Sequence, residues 1–238
     1  AYTLSALGIH YYYMYEYAKA NQVFSKYLEL RPNDFYARLS LGGFYTKLKQ
    51  FDKAEEIYLS MLEKFPGNLD VKLQLADTYL NNNKPDSCLA VIDRIIASPD
   101  DRATGYVAKG IYYSRVNNTD SALHYYREAK KVYPVYCAAC DNNTGRIYFV
   151  NGQPDSARKY FQEVLDHDST YTYSHFNLGV LEDQANNPGT AIKYFFQALN
   201  TAKASEEGFI SHIQHHFGKG YHRPDEKTWK EFTDKVYI

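Results

Sequence analysis

The sequence predicts an all-α fold: a solenoid of short antiparallel helix pairs with a C-terminal helical cap. Three observations carry this. Small residues fall at Gly8, Gly42, Ala76, Gly110, Gly145 and Gly179, in steps of 34, 34, 34, 35 and 34 residues. Bulky residues keep step at Phe24, Tyr58, Ile92, Tyr126, Phe161 and Phe195, and a tyrosine ladder runs Tyr11, Tyr45, Tyr79, Tyr113, Tyr148 and breaks at Glu182. Prolines at 32, 66, 99 and 134 close the segments. Several ladders held in register over six periods are the mark of a repeat array, in which each unit packs only on its neighbours.

Within one period, residues 41–66 read LGGFYTKLKQFDKAEEIYLSMLEKFP, two amphipathic helices around a tight turn. A helical Gly costs about 1 kcal/mol relative to Ala, so its recurrence implies close approach. The expectation is that the second helix nears the first at the small ladder Ala20, Ala54, Cys88, Ala122, Ala157 and Ala191, with the large residues filling the remaining space. Second helices open at Pro85-Asp86, Pro154-Asp155 and Pro188-Gly189, with Asp52 and Asp120 at the matching place in two other repeats. Proline fits a first helical turn and aspartate complements the helix dipole there. The elbows at 81–83, 117–118, 151–152 and 186–187 are rich in Asn and Gly, which is turn chemistry. The repeats are placed at 1–34, 35–68, 69–102, 103–137, 138–171 and 172–205. Beyond them Phe209, Ile213 and Phe217, then Trp229, Phe232 and Val236, form apolar faces on two further helices, so 206–238 is expected to cap the stack.

Composition narrows the function. The chain has 238 residues and a formal net charge of -1, without the basic stripe a nucleic-acid binder needs to neutralise phosphates. No apolar run reaches the roughly 20 residues that span a bilayer. Three cysteines are too few for a disulfide-built scaffold. The 25 tyrosines are explained first by packing. The start at Ala1, without Met, reads as a piece of a longer chain.

These motifs resemble the tetratricopeptide repeat family. Leu7-Gly8, Tyr11, Ala20, Phe24 and Pro32 match its pattern, as do Leu41-Gly42, Tyr45, Ala54, Tyr58 and Pro66. The fourth place, aromatic in the family, is poorly kept, with Asp141 and His175 in the last two repeats. The resemblance implies a right-handed superhelix whose first helices line a concave groove. It places Tyr2, Tyr12, Tyr36, Leu39, Leu73, Val107, Ile111, Asn142, Arg146, Phe149, Tyr173 and Phe176 in that groove, with Asn143 and Asn177 at the place that contacts an extended peptide backbone. Ser5 and Ile9 stand where relatives that clamp a terminal carboxylate carry Lys and Asn, which argues against that mode.

Candidate chemistry is thin. Cys137 and Cys140 have CxxC spacing, but a single pair leaves a four-ligand zinc site incomplete, and they are read as structural or incidental thiols. His212, His215, His216 and His222 cluster without a carboxylate or Cys in register to complete a metal site. Asp166-His167-Asp168-Ser169 names triad residues, but neighbours in sequence at a helix end do not converge as a triad does. Asn117-Asn118-Thr119 and Asn142-Asn143-Thr144 are formal glycosylation sequons. The expected function is a non-catalytic scaffold that binds a protein or peptide segment in the groove, with no cofactor, no metal and no nucleic acid. The Tyr-rich N-terminal helix is the expected self-association surface. The alternative is an accessory domain of a larger enzyme, transport or membrane-associated assembly.

Overall fold

The computed structural model describes residues 4, 7, 8, 10, 11, 16–133 and 135–201. Among them the chain forms eleven α-helices and no strand. They are α1 (Tyr17–Leu30), α2 (Phe35–Lys47), α3 (Phe51–Lys64), α4 (Leu69–Asn81), α5 (Pro85–Ala97), α6 (Arg102–Arg115), α7 (Thr119–Val132), α8 (Ala138–Val150), α9 (Pro154–His167), α10 (Thr172–Gln184) and α11 (Pro188–Thr201). Tyr2 and Tyr12, the cap expected at 206–238 and the four clustered histidines lie outside the described residues.

By packing, the chain divides into two compact units, Ala1–Val116 and Asn117–Ile238. In the first, each of α1 to α5 packs on the next, and α2 also meets α4. In the second, α7 to α11 pack in the same sequential way, and α8 also meets α10. This is an all-α repeat fold in which first and second helices alternate.

The elbows between first and second helices share one device. Lys49, Asn83, Asn117, Gly152 and Asn186 take left-handed backbone, with φ of 58°, 54°, 59°, 71° and 61°. In four of these turns the next residue's N–H reaches back to the tyrosine-ladder place. Gln50 donates to the Tyr45 carbonyl, Lys84 to Tyr79, Gln153 to Tyr148 and Asn187 to Glu182. This is the closure that satisfies the last carbonyls of a helix, and Gly and Asn adopt its left-handed residue at least cost. Lys49 is the exception in side-chain type.

Helix starts follow the sequence signals. Pro85, Pro154 and Pro188 are the first residues of α5, α9 and α11. Asp34 and Asn68 cap α2 and α4 by accepting from the Ala37 and Val71 N–H groups, each at 3.0 Å. A cap of this kind is worth about 1 kcal/mol.

The glycine ladder has a more specific cause than helix approach alone. A Cβ built on Gly42 would lie 2.6 Å from the Tyr58 ring, one on Gly145 2.6 Å from Phe161, and one on Gly179 2.7 Å from Phe195. Each glycine is the seat of an aromatic ring sixteen residues on, so the small residue and the bulky residue of the two ladders are one device. The third repeat has the complementary exchange: Ala76 in place of Gly and Ile92 in place of the ring, both buried in one core with Val71, Leu75 and Ile95.

Candidate binding face

The first helices hold most of the expected groove residues. In the first compact unit Tyr36 on α2 is 76% exposed and Ile111 on α6 is 36% exposed. Leu39 and Leu73 are half-buried against the core around Tyr58 and Leu75. In the second unit Val150 is 81% exposed and Tyr173 46% exposed, and Arg146 is exposed. Phe149 and Phe176 are half-buried. Phe149 packs on the core of Ala157, Phe161 and Leu178, and the Phe176 ring meets Phe195 edge-on at 5.6 Å. In each unit, taken by itself, the first helices therefore offer a few exposed apolar side chains beside residues that also pack the repeats together.

Two of the expected groove residues are packing residues. Val107 and Asn142 are buried. The Asn142 side-chain oxygen accepts from Ser174 Oγ at 3.2 Å and from Asn177 Nδ2 at 2.9 Å, tying α8 to α10. The Asn177 amide, expected to face a peptide backbone, is engaged with its neighbour helix. Asn143 accepts from Arg146 Nη1 at 3.5 Å on the same helix.

Polar links between helices were not visible in the sequence. Arg115 on α6 reaches α4, with Nη1 3.1 Å from Asp77 Oδ1 and 3.4 Å from Asn81 Oδ1. Thr46 and Thr78 join α2 to α4 through buried hydroxyls 2.8 Å apart. The Tyr79 hydroxyl donates to Glu55 at 3.0 Å, and Lys84 Nζ lies 2.8 Å from the same carboxylate. Lys84 holds the Glu55 carboxyl below its usual range, while burial, reinforced by Glu55, pushes the Tyr79 phenol up to about 12. In the second unit Glu182 is buried and held by Arg158 and by Asn187 Nδ2 at 3.1 Å. Asp141, also buried, takes both oxygens to Lys130 Nζ at 2.7 and 2.9 Å. Sequence spacing offers no signal for these pairs because the partners sit on different helices. An open cavity of about 460 Å³ between α3, α4 and α5 was likewise unforeseen. Its lining includes the apolar Leu62, Leu75 and Val91 and the cations Lys72 and Arg94.

The cysteine expectation is corrected. Cys137 and Cys140 are joined in a disulfide, not held as thiols. Cys88 is the buried small-ladder residue expected, its thiol raised to about 11 by burial. His167 stacks on Tyr136 with ring centres 3.9 Å apart, and Asp168 accepts from Thr170 in the following loop, so these residues serve the helix end. Of the sequons, Asn142 is buried and Asn117 exposed. Among the described residues, no group of three or more His, Cys, Asp or Glu is gathered to hold a metal, and no helix is long and apolar enough to cross a membrane.

Sequence models of the tetratricopeptide repeat match residues 13–64 and, with a second such model, 107–170 and 142–207. The chain belongs to the tetratricopeptide repeat family. No curated protein matches it by sequence. Among solved structures, it is similar to a tetratricopeptide repeat protein from Parabacteroides merdae, with 14% identity and a TM-score of 0.62 over 87% of this chain and 81% of that one. It is similar to PilW, a type IV pilus biogenesis factor, with 20% identity and a TM-score of 0.51 over 87% and 96%. It is also similar to PilF of Pseudomonas aeruginosa, with 18% identity and a TM-score of 0.50 over 75% and 81%. At these identities the likeness is one of fold. Tetratricopeptide repeats are in general protein–protein interaction modules on a scaffold that is generally non-catalytic. In this member, the ring-on-glycine seats and the inter-helix links account for most of the conspicuous residues.

Proposed function

We propose that this tetratricopeptide repeat chain is a non-catalytic scaffold that binds apolar segments of a partner protein on the first helices of each compact unit. The observation that carries the reading is the exposure of large apolar side chains on first helices: Tyr36 on α2, Ile111 on α6, Val150 on α8 and Tyr173 on α10. Aromatic side chains bring large contact area at low entropic cost and are enriched among residues that dominate binding energy. Leu39 and Leu73 in the first unit and Phe149 and Phe176 in the second are half-buried on first helices, and Arg146 and Asn143 add polar positions on α8.

The test is selection of peptides from a displayed library on the full chain, followed by affinity measurement on Tyr36→Ala and Tyr173→Ala variants. These two are chosen because Phe176 packs on Phe195, so its loss would disturb the fold as well. The expected result is apolar peptides whose affinity falls about tenfold or more in the variants, with unchanged circular dichroism. Equal affinity in both variants would remove the first-helix face from the proposal.

A further inference from the structure

We propose that the Cys137–Cys140 disulfide is a native staple that stands in for a helix cap at the one irregular step of the array, and that the chain works where thiols become oxidised. The step between Gly110 and Gly145 is 35 residues where the others are 34. The extra residue falls in the linker ahead of α8, where Val135 is 74% exposed. At the corresponding starts of α2 and α4 a carboxylate or an amide caps the helix, while α6 and α10 begin without a side-chain cap. At α8 the cap residue is Cys137, and its sulfur accepts from the Cys140 N–H at 3.3 Å. Sulfur is a weak acceptor, so the cap alone holds the first turn poorly. The covalent bond from Cys137 to Cys140 closes that same turn.

What flanks the staple shows what it holds. Tyr136, immediately before it, stacks on His167 at the end of α9. Asp141, immediately after it, is buried and paired with Lys130 on α7. The bond thus fixes the spacing between a contact to α9 and a contact to α7. Both sulfur-bearing residues are buried, Cys137 4% exposed and Cys140 fully covered. A partner's disulfide has no approach to either, which separates a staple from a dithiol that exchanges with substrates. Forming the bond takes a disulfide oxidant that reaches the two cysteines before folding buries them. One cysteine thiolate attacks it, releasing a thiol and leaving a mixed disulfide. The second cysteine thiolate then attacks the Cys sulfur of that mixed disulfide and releases the second thiol. Two electrons and two protons pass to the oxidant, and such bonds persist in oxidising compartments.

The experiment uses the full chain purified from the cells that make it, acid-quenched, denatured and alkylated. One adduct, on Cys88, is expected before reduction and three after it. Three adducts before reduction would overturn the proposal. Hydrogen exchange then compares oxidised with reduced protein. Amides of 137–141 are expected to exchange about tenfold faster on reduction, with α4 unchanged, and equal exchange overturns the staple. A Cys137→Asp, Cys140→Ala double variant restores a carboxylate cap. Slow exchange in the first turn of α8 supports the capping argument, and exchange as fast as in the reduced protein refutes it. Turnover of a disulfide substrate by the oxidised chain would also overturn the staple reading.

Discussion

Tyr79 with Glu55 and Glu182 with Arg158 occupy the same place in two parts of the molecule. In each, a residue at the end of a first helix reaches the second helix before it, 24 residues back in sequence. In the first compact unit the ladder residue is a phenol that donates to a carboxylate. In the second it is a carboxylate that accepts from a guanidinium. The position is geometric and the chemistry is interchangeable, provided that one partner donates and the other accepts. The break in the tyrosine ladder at Glu182 is a change of polarity at a kept link.

The largest effect should come from breaking the more deeply buried link. Arg158→Met leaves Glu182 buried without its cation and should cost about 2–3 kcal/mol, toward the lower side of buried pairs because Arg158 is partly exposed. The double variant Arg158→Glu, Glu182→Tyr rebuilds the Glu55–Tyr79 arrangement and should return most of that loss in urea unfolding. If the double variant is as unstable as the single, the two sites are not equivalent.

Next come the ring seats. Gly179→Ala puts a methyl into the Phe195 ring and should cost about 1–3 kcal/mol by overpacking. Gly42→Ala should be relieved by Tyr58→Ile, which copies Ala76 and Ile92. Gly105→Ala should have no such relief, because its Cβ would lie 2.9 Å from the backbone nitrogen of Ile96, which is not the movable end of a side chain. Thermal midpoints of the single and paired variants decide this.

Acid should weaken the Tyr79 link. Glu55 is held below its usual range by Lys84 and Tyr79. A carboxyl depressed on folding stabilises above its unfolded value, and that contribution is lost as pH falls through its folded value. The thermal midpoint should therefore drop on acidification below about pH 4.5, and Glu55→Gln should flatten that part of the curve. An unchanged slope would show that the Tyr79 link contributes nothing through Glu55. The smallest change expected is a gain. Lys49→Gly, at the left-handed elbow residue that among the described residues is neither Asn nor Gly, should stabilise by about 0.5–1 kcal/mol in the same unfolding assay.

The sequence and the structure agree where the information is periodic. Gly42 with Tyr58, Gly145 with Phe161, and the prolines opening α5, α9 and α11 are all readable because one packing solution is repeated. Gly105 lies off every ladder, and its contact with Ile96 depends on how two particular helices cross. Asp141 and His175 depart from the family's fourth-place aromatic. Each is buried with a local polar partner, Lys130 for Asp141 and the Ser169 carbonyl for His175 at 2.8 Å. Of the face residues, Tyr36, Ile111, Arg146 and Tyr173 are exposed where the resemblance put them in a groove, whereas Asn142 and Val107 are taken into packing. Side-chain place within a repeat fixes which helix a residue sits on. It does not fix whether the neighbouring repeat covers it, because that depends on the size of the residue opposite.

Burial holds the phenols of Tyr79, Tyr126 and Tyr136 above the normal range. In an alkaline titration followed by phenolate absorbance, the exposed rings of a chain so rich in this chromophore should ionise first. The sheltered ones should stay silent until the helices melt. A second rise in absorbance coinciding with loss of ellipticity would then give an optical record of how long the interior outlasts the surface.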